Sequence, residues 1–90
     1  MIVNFDNAAT TFPKPPEVRR ALNEAILRYG GNAGRGGHRL TLATSEKVYD
    51  TRQSAADFFG ASPENVVFTL NCTYALNLAI QGIMSDGGHI

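Results

Sequence analysis

Three stretches of this 90-residue sequence combine residue types and spacings that could do chemistry. The first is Val66-Val67-Phe68-Thr69, followed by Asn71-Cys72-Thr73 and then Ala75, Leu78, Ala79 and Ile83 at helical spacing. A short β-branched run followed by an amphipathic segment reads as a strand feeding directly into a helix. At such a junction the first helical amides have no acceptor within the helix, and the macrodipole favours an anion. The amides of Cys72 and Thr73, together with the Thr73 hydroxyl, could therefore hold a phosphate, the dipole contributing roughly 0.3–1 kcal/mol. A plain helix cap by Asn71 or Thr73 accounts for the same residues, and capping is their commonest use.

The second stretch is Gly30-Gly31-Asn32-Ala33-Gly34-Arg35-Gly36-Gly37-His38-Arg39. It lacks the Lys-Ser/Thr ending of a P-loop, and the segment before it is helical, so neither nucleotide fingerprint fits. What it offers is a backbone of unusual freedom carrying Arg35, His38 and Arg39, groups able to meet a carboxylate or phosphate. A solvated connection is the bland alternative. The third stretch, Asp6-Asn7-Ala8-Ala9-Thr10-Thr11, has small side chains that let a ligand approach the backbone, although an Asx turn explains Asp6 and Asn7 equally well. Cys72 is the single thiol. With no base recognisable near it, it reads as a small apolar residue rather than a nucleophile. No metal site is assigned, and His89 supports no claim.

The elements that must position these stretches follow from periodicity. Ile2-Val3-Asn4-Phe5 predicts a short strand ahead of a loop. Pro16 suits a first helical turn, and Val18, Ala21, Leu22, Ala25, Ile26 and Tyr29 predict a helix over Pro16–Arg28, closed by Gly30 and Gly31. From Thr41, the positions of Ala43, Val48, Tyr49, Arg52, Ala55, Ala56 and Phe59 predict a longer helix that stops at Gly60. Ser62-Pro63-Glu64-Asn65 is a turn, Val66–Thr69 a buried strand, and the third helix runs past Ala79 with Gly82 near its end. Asp86-Gly87-Gly88 is a further turn, and His89-Ile90 would begin another strand. One strand among helices cannot make a parallel sheet without a crossover, so the expectation is a fragment of a longer α/β protein. The alternative is a complete small α+β domain in which the N-terminal strand pairs with Val66–Thr69.

Eight basic residues balance eight acidic ones, leaving no electrostatic footprint for nucleic acid or an anionic membrane. The apolar runs fall far short of the roughly 20 residues needed to span a bilayer. A lone cysteine without a signal segment fits a reducing cytoplasm.

Taken together, Asn4-Phe5-Asp6-Asn7-Ala8-Ala9-Thr10-Thr11, Gly31 through Thr41, and Val67 through Leu78 resemble, in order and spacing, the N-terminal portion of the class V aminotransferase family, in particular cysteine desulfurases and selenocysteine lyases. The resemblance covers essentially the whole chain. It implies an α/β fold of the aspartate aminotransferase type (fold type I), with helices plus short strands. It also implies pyridoxal 5'-phosphate (PLP) as cofactor, an amino-acid substrate and a homodimer. Residues 1–30 would be an N-terminal segment and 31–90 the start of the cofactor-binding large domain, all within a single fragment 1–90.

By the same resemblance, Cys72 and Thr73 would bind the cofactor phosphate, Ala8 and Ala9 would lie beside the substrate, and Arg35 and His38 would sit on a loop near the active site or dimer contact. The family's usual pattern at the phosphate turn is Gly or Ser, then Ala or Thr, then Thr. Asn71 and Cys72 depart from it, which keeps the amide donors but removes a hydroxyl at position 72. Gly34 stands where relatives often have His or another residue just before the loop arginine. The resemblance assigns no catalytic residue to this chain, since the cofactor lysine belongs downstream and neither Lys14 nor Lys47 matches it.

The implied activity is removal of sulfur or selenium from cysteine or selenocysteine, leaving alanine. The alternatives are another class V activity, aminotransferase or kynureninase-like, and a non-catalytic oligomerising fragment. The isolated chain is expected to be inactive and to associate with itself or another chain.

Overall fold

The computed structural model describes residues 1–84, 87 and 88. Asp86, which opens the expected turn Asp86-Gly87-Gly88, and both residues of the expected strand His89-Ile90 lie outside that set. Two compact units are present, Met1–Asp50 and Thr51–Ile90. Three helices are formed, α1 (Pro16–Arg28), α2 (Arg39–Phe59) and α3 (Cys72–Ile83), with a 3₁₀ turn at Pro63–Asn65.

Helix α1 starts and ends where the sequence predicts. The Pro15 carbonyl accepts from the amides of Val18 at 3.1 Å and Arg19 at 3.4 Å, and Tyr29 closes the far end by donating to the Ala25 carbonyl at 3.1 Å. Glu17 in the first turn and Arg28 in the last both complement the helix dipole. An exposed Arg28–Glu24 pair at 3.6 Å adds about 0.3–0.5 kcal/mol.

Helix α2 begins two residues before the expected Thr41, because the His38 carbonyl already accepts from Leu42 N at 3.1 Å. At its other end Ala61 N donates to the Ala56 carbonyl at 2.8 Å and Gly60 N to the Asp57 carbonyl at 3.4 Å. These two bonds make a Schellman motif, and Gly60 supplies its left-handed position with φ +66°.

No described residue is in a strand, so the expected strands at Ile2–Phe5 and Val66–Thr69 are not formed. A strand exists only through ladder hydrogen bonds to a neighbour, whereas β-propensity supplies only an extended backbone. Val66 is extended, with φ −97° and ψ 122°. Its carbonyl accepts instead from Arg52 Nη1 at 2.6 Å, and the same guanidinium lies over the Phe68 ring, 5.4 Å from its centroid. One side chain of α2 thus secures the extended segment that leads to α3.

Each unit encloses little. Within Met1–Asp50 the buried residue is Thr41, and within Thr51–Ile90 it is Ala56, among the described residues. Val18, Leu22, Ile26 and Leu27 on α1, and Leu76, Leu78, Ile80 and Ile83 on α3, remain exposed. The apolar periodicity that predicted these helices is therefore not used up by packing within either unit.

Candidate functional site

The N-terminus of α3 is built by Asn71. Its backbone is extended, with φ −165° and ψ 174°, and its side-chain Oδ1 accepts from Tyr74 N at 2.8 Å. The Asn71 carbonyl takes the first intrahelical bond, from Ala75 N at 3.1 Å, and also accepts from Thr69 Oγ1 at 3.0 Å. The cap thus satisfies the third-turn-position amide and leaves those of Cys72 and Thr73, for which there is no acceptor among the described residues. Cys72 is a free, exposed thiol. No acidic residue occupies the first turn. Capping and anion binding, alternatives at the level of sequence, are compatible here because they use different amides.

The other candidates lie in the first unit. Thr41 is 2% exposed, and its Oγ1 donates to the Arg35 carbonyl at 3.1 Å while lying 2.9 Å from His38 Nε2. Gly34 N donates to Ser45 Oγ at 3.2 Å, one helical turn further along α2. Gly31 lies directly on the helix start: a Cβ there would come within 2.6 Å of the Leu40 and Thr41 backbone. The glycine loop is therefore fastened to the first turns of α2, and Arg35 and His38 are brought to one hydroxyl. No metal-holding group of three or more His, Cys, Asp or Glu occurs among the described residues.

Ala8 and Ala9 are exposed and sit in a loop tied by two asparagines. Asn4 Nδ2 donates to Asn7 Oδ1 and to the Phe12 carbonyl, both at 3.1 Å. Asn7 Nδ2 donates to the Asn4 carbonyl at 2.9 Å, and Asn7 Oδ1 also accepts from Phe12 N at 3.1 Å. Lys14 Nζ donates to Thr10 Oγ1 and to the Thr11 carbonyl. Sequence reasoning assigned no part to Asn4, Thr41, Ser45 or Lys14 in holding these loops. The three-residue spacings Asn4–Asn7 and His38–Thr41 were the available signals.

The chain belongs to the aminotransferase class-V family, whose profile matches residues 3–90. That family has the PLP-dependent fold type I. Among curated relatives, a probable cysteine desulfurase of Pyrococcus abyssi is 40% identical over 83 residues, covering 91% of this chain and 20% of the relative. One from Methanothermobacter thermautotrophicus is 38% identical over 77 residues, covering 86% and 19%. The cysteine desulfurase IscS of Proteus mirabilis is 34% identical over 94 residues, covering 98% and 23%. The chain thus spans about a fifth of the length of these relatives. No solved structure matches it.

The donor set at α3 fits the phosphate of PLP. It has two amides without an acceptor among the described residues and a helix dipole with no acidic residue in the first turn, both favourable to an anion, with a hydroxyl-bearing Thr73 at the same turn.

Proposed function

We propose that this chain is the N-terminal part of a PLP-dependent cysteine desulfurase or selenocysteine lyase, which removes sulfur or selenium from its amino-acid substrate and leaves alanine. The observation that carries the reading is the pair of first-turn amides at Cys72 and Thr73, which have no acceptor among the described residues, in a segment that resembles the family's phosphate-binding turn. It is supported by relatives described as cysteine desulfurases.

When bound, PLP supplies an electron sink for charge developing on the substrate. This chain's own part is to bind and orient. The amides of residues 72 and 73 and the Thr73 hydroxyl grip the phosphate, and that grip uses fixed backbone dipoles requiring no rearrangement. Ala8 and Ala9 provide a small-residue wall beside the substrate. Arg35 and His38 supply a cation and a titratable ring on the fastened glycine loop. Residues 31–90 open the large cofactor-binding domain, and residues 1–30 precede it.

Neither lysine of this chain serves as the cofactor lysine. Lys14 is engaged by Thr10 and Thr11, and Lys47 lies on α2 with an interaction of its own. The isolated chain is accordingly inactive, and its exposed apolar helix faces are covered in the working enzyme by further protein, in a homodimer. A cytoplasmic setting goes with this reading, and no described helix is long and apolar enough to cross a membrane.

The test is to supply the chain with PLP and L-cysteine, trap adducts with borohydride, and assay alanine in parallel with the intact protein that carries this sequence. Alanine from the intact protein and none from the 90-residue chain is expected. A single stoichiometric adduct at Lys14 or Lys47 with turnover would overturn the fragment reading, and an intact protein that yields no alanine would overturn the activity.

A further inference from the structure

The Thr41 hydroxyl lies between the Arg35 carbonyl and the His38 ring. A threonine hydroxyl has one hydrogen, and the Arg35 carbonyl, 3.1 Å away, can only accept it. With the hydroxyl hydrogen directed at that carbonyl, the ring nitrogen His38 Nε2, 2.9 Å from the same oxygen, is left to donate. That arrangement makes neutral His38 the Nε2–H tautomer. Its Nδ1 carries the lone pair and has no partner among the described residues, and the residue itself is exposed. Thr41 is 2% exposed, so water does not compete for its hydroxyl.

We infer that Thr41 is a positioning residue: it holds His38 as the Nε2–H tautomer and leaves Nδ1 as the atom that accepts a proton or hydrogen bond from a thiol- or ammonium-bearing amino acid. The part concerning the amino acid rests on the substrate role proposed above for the glycine loop. The proton balance is simple. The ligand's S–H or N–H bond breaks, its electron pair stays on the ligand, Nδ1–H forms, and the ring becomes imidazolium. The Nε2–H···Oγ1 bond persists in both ring states, because the Thr41 hydroxyl keeps donating its hydrogen to the Arg35 carbonyl throughout. The ring can take up and return a proton without its support rearranging.

The test uses the full chain with ¹⁵N-labelled histidine, observed at alkaline pH where imidazoles are neutral. Two-bond ¹H–¹⁵N correlations are expected to show a protonated Nε2 and an unprotonated Nδ1 for His38, with a slowly exchanging Nε2 proton. In Thr41→Val that proton should exchange about tenfold faster, the equivalent of one lost hydrogen bond, while Thr41→Ser restores the slow exchange. The Gly34 amide, bonded to Ser45, reports whether the loop stays docked in each variant. If Thr41→Val undocks it, Thr41→Ser against the parent chain decides through the tautomer pattern alone. An Nδ1–H tautomer, or a parent Nε2 proton exchanging as fast as in Thr41→Val, overturns the inference. Addition of L-cysteine to the intact protein that carries this sequence should then shift Nδ1. A locked tautomer with no response to L-cysteine upholds the role of Thr41 and overturns the substrate role of the loop.

Discussion

Cys72 occupies the first helical position of α3, where its amide is a donor whatever side chain it carries. Side-chain and backbone contributions can therefore be separated by substitution. Cys72→Ala should leave phosphate affinity unchanged, because only the thiol is lost. Cys72→Pro removes the N–H at a position where proline suits a helix, and the extended Asn71 before it is already in the conformation that a following proline prefers. A lost bond to a charged acceptor is worth roughly 1.5–3 kcal/mol, so Cys72→Pro should weaken phosphate binding by about tenfold or more with helicity retained. Titration calorimetry with inorganic phosphate, beside circular dichroism, checks both variants.

Glu64 offers a pH-dependent prediction at the same scale. The Ser62 hydroxyl, donating to Oε2 at 2.7 Å, holds the Glu64 carboxyl below its ordinary value, helped by the residue's own amide and by the charge of Arg52. A depressed folded value stabilises the fold above the usual carboxylate range, and that stabilisation is lost as the pH falls through the folded value. Ser62→Ala should raise the Glu64 titration midpoint, as followed by carboxyl ¹³C shifts. An unmoved midpoint would show that the hydroxyl is not the cause.

Among the elements, the helices form where the sequence predicts them, and the expected strands do not form among the described residues. Helices close their hydrogen bonds locally, so the Val18 to Tyr29 spacing, with Pro16 and Gly30, was enough to bound α1. A strand needs a distant partner, and Val66–Thr69 is held by Arg52 rather than by a ladder. The same distinction applies to the site. Asn71-Cys72-Thr73 announced a helix start, whereas the bridge from Thr41 to Arg35 and His38 depends on how the glycine loop folds back, which no periodicity encodes. The cap can be tested at this scale. Asn71→Ala should cost about 1 kcal/mol in thermal unfolding by leaving the Tyr74 amide unpaired. Asn71→Asp should keep the cap but weaken phosphate binding, since its fixed negative charge lies next to the anion's donors. Equal phosphate affinity in Asn71→Asp would mean that the anion does not sit at this helix start.

For the whole molecule, the decisive property is how much apolar surface stays uncovered. Leu70 is 90% exposed and Phe5 96% exposed, and the enclosed apolar residue among those described is Ala56. Large uncovered apolar patches favour association. Sedimentation of the chain should therefore show species heavier than its 9.7 kDa monomer, growing with concentration. A compact monomer at high concentration would contradict it.

The central claim, that the start of α3 is a phosphate anchor for PLP, is tested most directly by backbone amide shifts during parallel titrations of the full chain with inorganic phosphate, PLP and pyridoxal. The account predicts that phosphate and PLP move the Cys72 and Thr73 amides and leave the already bonded Tyr74 amide less affected, while pyridoxal, lacking the phosphate, moves neither. Unmoved Cys72 and Thr73 amides, or the same response to pyridoxal as to PLP, would contradict it.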